Sequence, residues 1–90
     1  MANRYQIKVK VISQKGTCAN GHRIGDTFVV SRTTPEGICL SAFGAFYPAL
    51  RTLMFGGAFP WSENPDIVTA ACPDAVNPVV FELQRIRPAE

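Results

Sequence analysis

The chain has 90 residues, a formal net charge of +2, 47% hydrophobic residues and 18% charged ones. That composition is globular rather than disordered, and the length allows one domain spanning 1–90 whose core buries only about 60–65% of the unfolded surface. The weak positive charge lacks the dense basic patch of a nucleic-acid-binding domain, and no apolar run approaches the ~20 residues that span a bilayer. Tyr5 to Ile12 alternates, with Tyr5, Ile7, Val9 and Val11 on one side and Gln6, Lys8 and Lys10 on the other, which predicts a half-buried strand. The loop Ser13 to Gly25 follows. Gly25-Asp26 is a turn signal, with Asp26 expected to bond local backbone amides, and Thr27-Phe28-Val29-Val30 reads as a second strand.

Thr33 to Gly37 is a loop. From Cys39 to Phe55, apolar residues recur at spacings of three and four (Cys39, Ala42, Phe43, Phe46, Tyr47, Leu50, Leu53, Met54), which draws one helical stripe. Pro48 interrupts it and predicts a kink, or two short helices with Pro48 in the first turn of the second. Gly56-Gly57 ends the helix. Ala58 to Asp66 is irregular. Ile67 to Cys72 reads as a short buried strand, Pro73 to Pro78 as a turn begun by Asp74, and Val79 to Ile86 as a last strand with Phe81 and Leu83 inward and Glu82 and Gln84 outward. Arg85 and Arg87, like Lys8, Lys10 and Lys15, read as solvated strand positions. The elements predict an α+β domain, a small mainly antiparallel sheet of about four strands with one kinked helix, in the order ββαββ, because parallel pairs need crossover connections that this chain has little room for.

The residues that could carry chemistry are three cysteines and one histidine. Cys18 and His22 share the loop Cys18-Ala19-Asn20-Gly21-His22, Cys39 opens the helix, and Cys72 closes an apolar run. Three thiolates and an imidazole make a complete tetrahedral set for zinc; iron is the alternative metal, although iron–sulfur clusters prefer four cysteines. The pattern is less specific than two Cys-x-x-Cys pairs, since only Cys18 and His22 are close in sequence. A blander reading treats Cys39 and Cys72 as small core residues, which suits their apolar surroundings, and His22 as a turn histidine. A metal-free alternative is a thiol enzyme or small-molecule binder. There Cys39 would be activated at the positive end of the helix, with Cys18 as partner thiol and His22 as base, beside a pocket walled by aromatics. The start Met1-Ala2-Asn3-Arg4-Tyr5-Gln6 has no hydrophobic leader, so a cytoplasmic protein with reduced thiols is expected.

Several segments together resemble a family of uncharacterised bacterial and archaeal proteins of about this length. They are Cys18 with Gly25-Asp26-Thr27-Phe28, Pro35-Glu36-Gly37-Ile38-Cys39, Phe55-Gly56-Gly57, Cys72-Pro73-Asp74 and Asn77-Pro78-Val79-Val80-Phe81-Glu82. The resemblance covers most of the chain and is most specific at the three cysteines, and it implies no activity. The aromatic set Phe43, Phe46, Tyr47, Phe55, Phe59 and Trp61 is dense for 90 residues; the bland reading is core, and the sharper one rests on Phe59-Pro60-Trp61 lying in a loop where exposure would be costly. It points to a homodimer face or a ligand pocket, which makes a dimeric interaction module the third functional class.

Overall fold

The computed structural model describes residues 5–17 and 21–87. In chain order the elements are β1 (Gln6–Gln14), β2 (Thr27–Val30), α1 (Leu40–Met54), β3 (Ile67–Ala71) and β4 (Val79–Ile86). The strands form one sheet in the order β2-β1-β4-β3, every neighbour antiparallel. The predicted class and element order hold.

The period-two pattern of β1 and β4 dictates the sheet's two faces. Ile7, Val9 and Val11 with Val79, Phe81 and Leu83 point to one side and are buried. Helix α1 lies on that side and contributes Ala42, Phe46, Leu50, Leu53 and Met54 to the same core. Each Val, Ile, Leu, Phe or Met side chain among them stabilises the fold by about 1.5–3 kcal/mol on leaving water, before conformational entropy is charged against it. The opposite face carries Lys8 and Lys10 beside Gln84 and Glu82 in register and is not covered.

Helix α1 runs unbroken through Pro48. The proline ring clashes with the carbonyl four residues back, and here that residue is Gly44; both are exposed, so the carbonyl left without an amide faces water. The two-helix alternative is therefore not adopted. The helix stops in a paired-glycine cap: Gly56 has φ +90°, its N–H donates to Leu53 O at 3.1 Å, and Gly57 N–H reaches back to Thr52 O at 2.8 Å. No side chain fits at Gly57, where a Cβ would lie 2.7 Å from Thr52 Cγ2.

Two expectations change. β3 is an edge strand, not a buried one; only Val68 along it is buried, because its outer neighbour is solvent and the segment before it. Arg85 is buried on the core face, not solvated: the alternation that turns Phe81 and Leu83 inward also turns Arg85 inward. β1 also runs past the expected Ile12, with a bulge between Val11 and Ser13 that bends its exit.

Candidate functional site

Antiparallel pairing brings the end of β1, the start of β2, the end of β3 and the start of β4 to one end of the sheet. The start of α1 arrives there too, held by His22. The His22 ring is 3% exposed and sits edge-on to Phe28 of β2 (5.8 Å between centroids) and Phe81 of β4 (5.7 Å). Its Nε2 accepts the backbone N–H of Cys39 at 3.1 Å. The other ring nitrogen, Nδ1, lies 4.0 Å from Asp26 Oδ2. The turn histidine is a buried one, and it satisfies the amide just ahead of a helix. The turn around it is anchored on the bulged part of β1, with Gly25 N–H donating to Val11 O and Asp26 Oδ2 accepting Arg23 N–H at 2.9 Å.

Cys39 is the N-cap residue of α1. Its backbone is extended, its carbonyl accepts the first helical hydrogen bond from Phe43 N–H at 2.9 Å, and its side chain makes no capping bond. No acidic residue occupies the first turn.

Cys72 follows β3 directly. Its N–H donates to Val79 O at 2.9 Å, and its Sγ accepts Val79 N–H at 3.2 Å. The loop that follows is built by Asp74, whose carboxylate accepts the N–H groups of Val76 and Asn77. The Asn77 amide and then the Val76 amide hold the Asp74 carboxyl below its usual range. Asn77 Oδ1 in turn accepts Thr17 N–H at 3.2 Å. That clasp requires glycine at position 16, where φ is +70° and a Cβ would lie 2.0 Å from Asn77 Oδ1.

Of the four candidate ligands, Cys39, Cys72 and His22 thus come to one end of the sheet, and both described cysteines are free thiols. Cys18 lies outside the described residues. Among the described residues no group of three His, Cys, Asp or Glu side chains stands close enough to hold a metal ion. Cys39 and Cys72 are the donors that fit a soft or borderline ion; the Nε2 lone pair of His22 is already engaged by the Cys39 amide.

A residue the sequence reading misjudged dominates the opposite end. Arg85 donates to Asp66 Oδ1 (3.0 Å), Pro65 O (2.9 Å), Leu53 O (3.0 Å) and Gly57 O (2.8 Å), so one guanidinium joins β4, the helix terminus and the approach to β3. Arg87 makes a two-pronged ion pair with the same Asp66, and both guanidinium groups lie near the Tyr5 ring. An open cleft of about 470 Å³ between Lys8, Asp66, Gln84, Ile86 and the two arginines contains no thiol. Both of its arginines are paired with Asp66, which reads as structure rather than as a ligand site. No helix of the described residues is long and apolar enough to cross a membrane. Comparisons with protein-family models, with curated proteins and with solved structures gave no match.

Proposed function

We propose that the chain is a small cytoplasmic metal-binding protein that takes zinc or iron on the thiolates of Cys39, Cys72 and Cys18. His22 acts as the group that positions Cys39 rather than as the fourth ligand. The observation that carries this reading is the gathering of Cys39 and Cys72, both unpaired, at one end of the sheet. The described residues on either side of Cys18 are tied to that end as well, Thr17 through Asn77 and His22 through Cys39. Cys39 at the N-cap of α1 and Cys72 beside the Val79 amide are both half-buried free thiols, and metal binding takes such groups as thiolates. A reducing compartment keeps such thiols available. The resident ion would tie three segments of a small domain together, where a modest core leaves most to gain.

The test is elemental analysis of protein purified without oxygen or chelator, with thiols counted before and after unfolding. About one zinc or iron per chain, thiols that react together only on metal removal, and a loss of thermal stability with chelator support the reading. Serine at Cys18, Cys39 or Cys72 then removes metal, whereas His22→Gln leaves the stoichiometry unchanged. A metal-free protein with one fast-reacting cysteine refutes the reading and supports the thiol-dependent enzyme or small-molecule binder built on Cys39, Cys18 and His22. A second reading, a homodimeric interaction module, is favoured by the large apolar side chains left exposed, Leu40, Trp61, Val76 and Ile24 foremost.

A further inference from the structure

The ladder between β3 and β4 decides which backbone groups of the edge strand β3 are used. Cys72 N–H donates to Val79 O and Arg85 N–H donates to Asp66 O, so Asp66, Val68, Ala70 and Cys72 turn their backbone groups toward β4. Ile67, Thr69 and Ala71 turn theirs away. Those of Ile67 are taken by the segment before the strand: its N–H donates to Asn64 O at 3.1 Å and its carbonyl accepts the Ser62 hydroxyl. Thr69 and Ala71 are exposed, and among the described residues nothing bonds the outward N–H and C=O of either. Pro73, the next residue facing that way, has no N–H. The open stretch is therefore Thr69 to Ala71, closed on both sides.

Sheets blunt such edges with charged side chains, with proline inside the strand or with bulges. β3 is Ile-Val-Thr-Ala-Ala, uncharged and paired to β4 in unbroken register. Open strand groups recognise one kind of partner, another extended backbone. Here the pattern of donors and acceptors matches itself. In an antiparallel pair with Ala70 at the two-fold axis, Thr69 lies opposite the partner's Ala71 and Ala71 opposite the partner's Thr69. Both N–H and both C=O groups of each strand are then bonded. Moving the axis to Thr69 sets Ala71 against the partner's Ile67, whose groups are taken; moving it to Ala71 sets Thr69 against the partner's Pro73, which has no donor. At the centre Ala70 meets the partner's Ala70 in a non-bonded pair, where Cα atoms approach to about 4.5 Å and methyl groups fit. A foreign strand would satisfy one set of open groups, whereas a second copy satisfies two.

We propose that a second copy of this chain pairs with β3 edge to edge across a two-fold axis at Ala70, joining two four-stranded sheets into one. The inference gives the homodimeric reading above its interface and is independent of the metal. Charge does not select this partner. β3 carries none, and the acids nearest it in sequence, Glu63 and Asp66 before and Asp74 after, lie outside the paired stretch. The other edge strand, β2, is not touched by α1 and is followed by Ser31 rather than proline, so nothing there fixes a register in this way.

The experiment is sedimentation velocity on the full chain over about a hundredfold range of concentration, with amide hydrogen exchange read residue by residue at both ends of that range. The expected result is a dimer at high concentration in which the Thr69 and Ala71 amides exchange about tenfold or more slowly than after dilution. Ala71→Pro removes an outward donor and leaves the ladder to β4 intact, since those bonds belong to its neighbours; it is expected to weaken the dimer by about tenfold or more. Val29→Pro, the same change at an outward residue of β2, leaves the dimer unchanged. A chain that stays monomeric throughout overturns the inference together with the homodimeric reading. A dimer whose Thr69 and Ala71 amides exchange as in the monomer, or one that Ala71→Pro leaves intact, overturns the inference alone.

Discussion

Arg85 shows how much a single residue can fix in a small domain. Its buried guanidinium donates to the carbonyls of Leu53, Gly57 and Pro65 and to the Asp66 carboxylate, and so ties four acceptors from three segments together. Arg85→Ala is expected to cost about 2–4 kcal/mol in urea unfolding, because it takes the side-chain donor from the Gly57 and Pro65 carbonyls and leaves a hole at a buried position. Arg87→Ala, whose side chain is largely in water, is expected to cost less than about 1 kcal/mol. The two-pronged hydrogen bond from Arg87, then that from Arg85, holds the Asp66 carboxyl below its ordinary value of 3.8. Since the folded-state value is the lower one, the stabilisation is complete above the unfolded value of 3.8 and is lost as pH falls through the folded value. Asp66→Asn should flatten that acid limb in a plot of unfolding free energy against pH. The inward turn of Arg85 was legible in the alternation of β4, but residue type argued the other way: a lone arginine reads as solvated until its partners on distant segments are known. His22 was misjudged for the same reason, since Phe28 and Phe81 bury it from strands far along the chain.

Helix α1 was legible as an element because its apolar residues keep the helical period across Pro48. What the pattern could not settle was whether proline would divide it. Glycine four residues earlier and a solvent-facing position remove most of the obstacle. The backbone bond is still missing, so Pro48→Ala is expected to raise stability by about 1–3 kcal/mol, read as a higher urea midpoint with an unchanged slope. The cap offers the opposite case. Gly57→Ala should destabilise, since the new methyl group would meet Thr52 Cγ2 at 2.7 Å and the Thr52 carbonyl oxygen at 3.0 Å. β3 looked like a buried strand because its residues are apolar and small. Its place at the sheet edge depends on which neighbour β4 takes, and that choice is made by β1, not by any residue of β3.

At the scale of the molecule, the antiparallel α+β class followed from the run of periods along the chain, whereas the strand order β2-β1-β4-β3 did not. Yet that order is what gathers Cys39, His22 and Cys72 at one end and the arginines at the other. Spacing alone offered three distant cysteines with no reason to meet. The order also governs how the fold is reached. The hairpin of β3 and β4 and the helix are local, but the central pair joins the first strand to the last, with Gln6 opposite Ile86. Nearly the whole described chain must close into a loop before those two strands can zip, and the entropy of closure is spent before the contacts repay it. Folding should therefore be limited by the meeting of β1 with β4. Val9→Ala, at the centre of that pair, should slow refolding in stopped-flow measurements, while Val68→Ala on the edge strand should chiefly hasten unfolding. A nascent chain of this sequence would then carry its helix and hairpin early, join its first strand to its last only at the end, and leave its thiols loosely arranged until that central pairing closes the sheet.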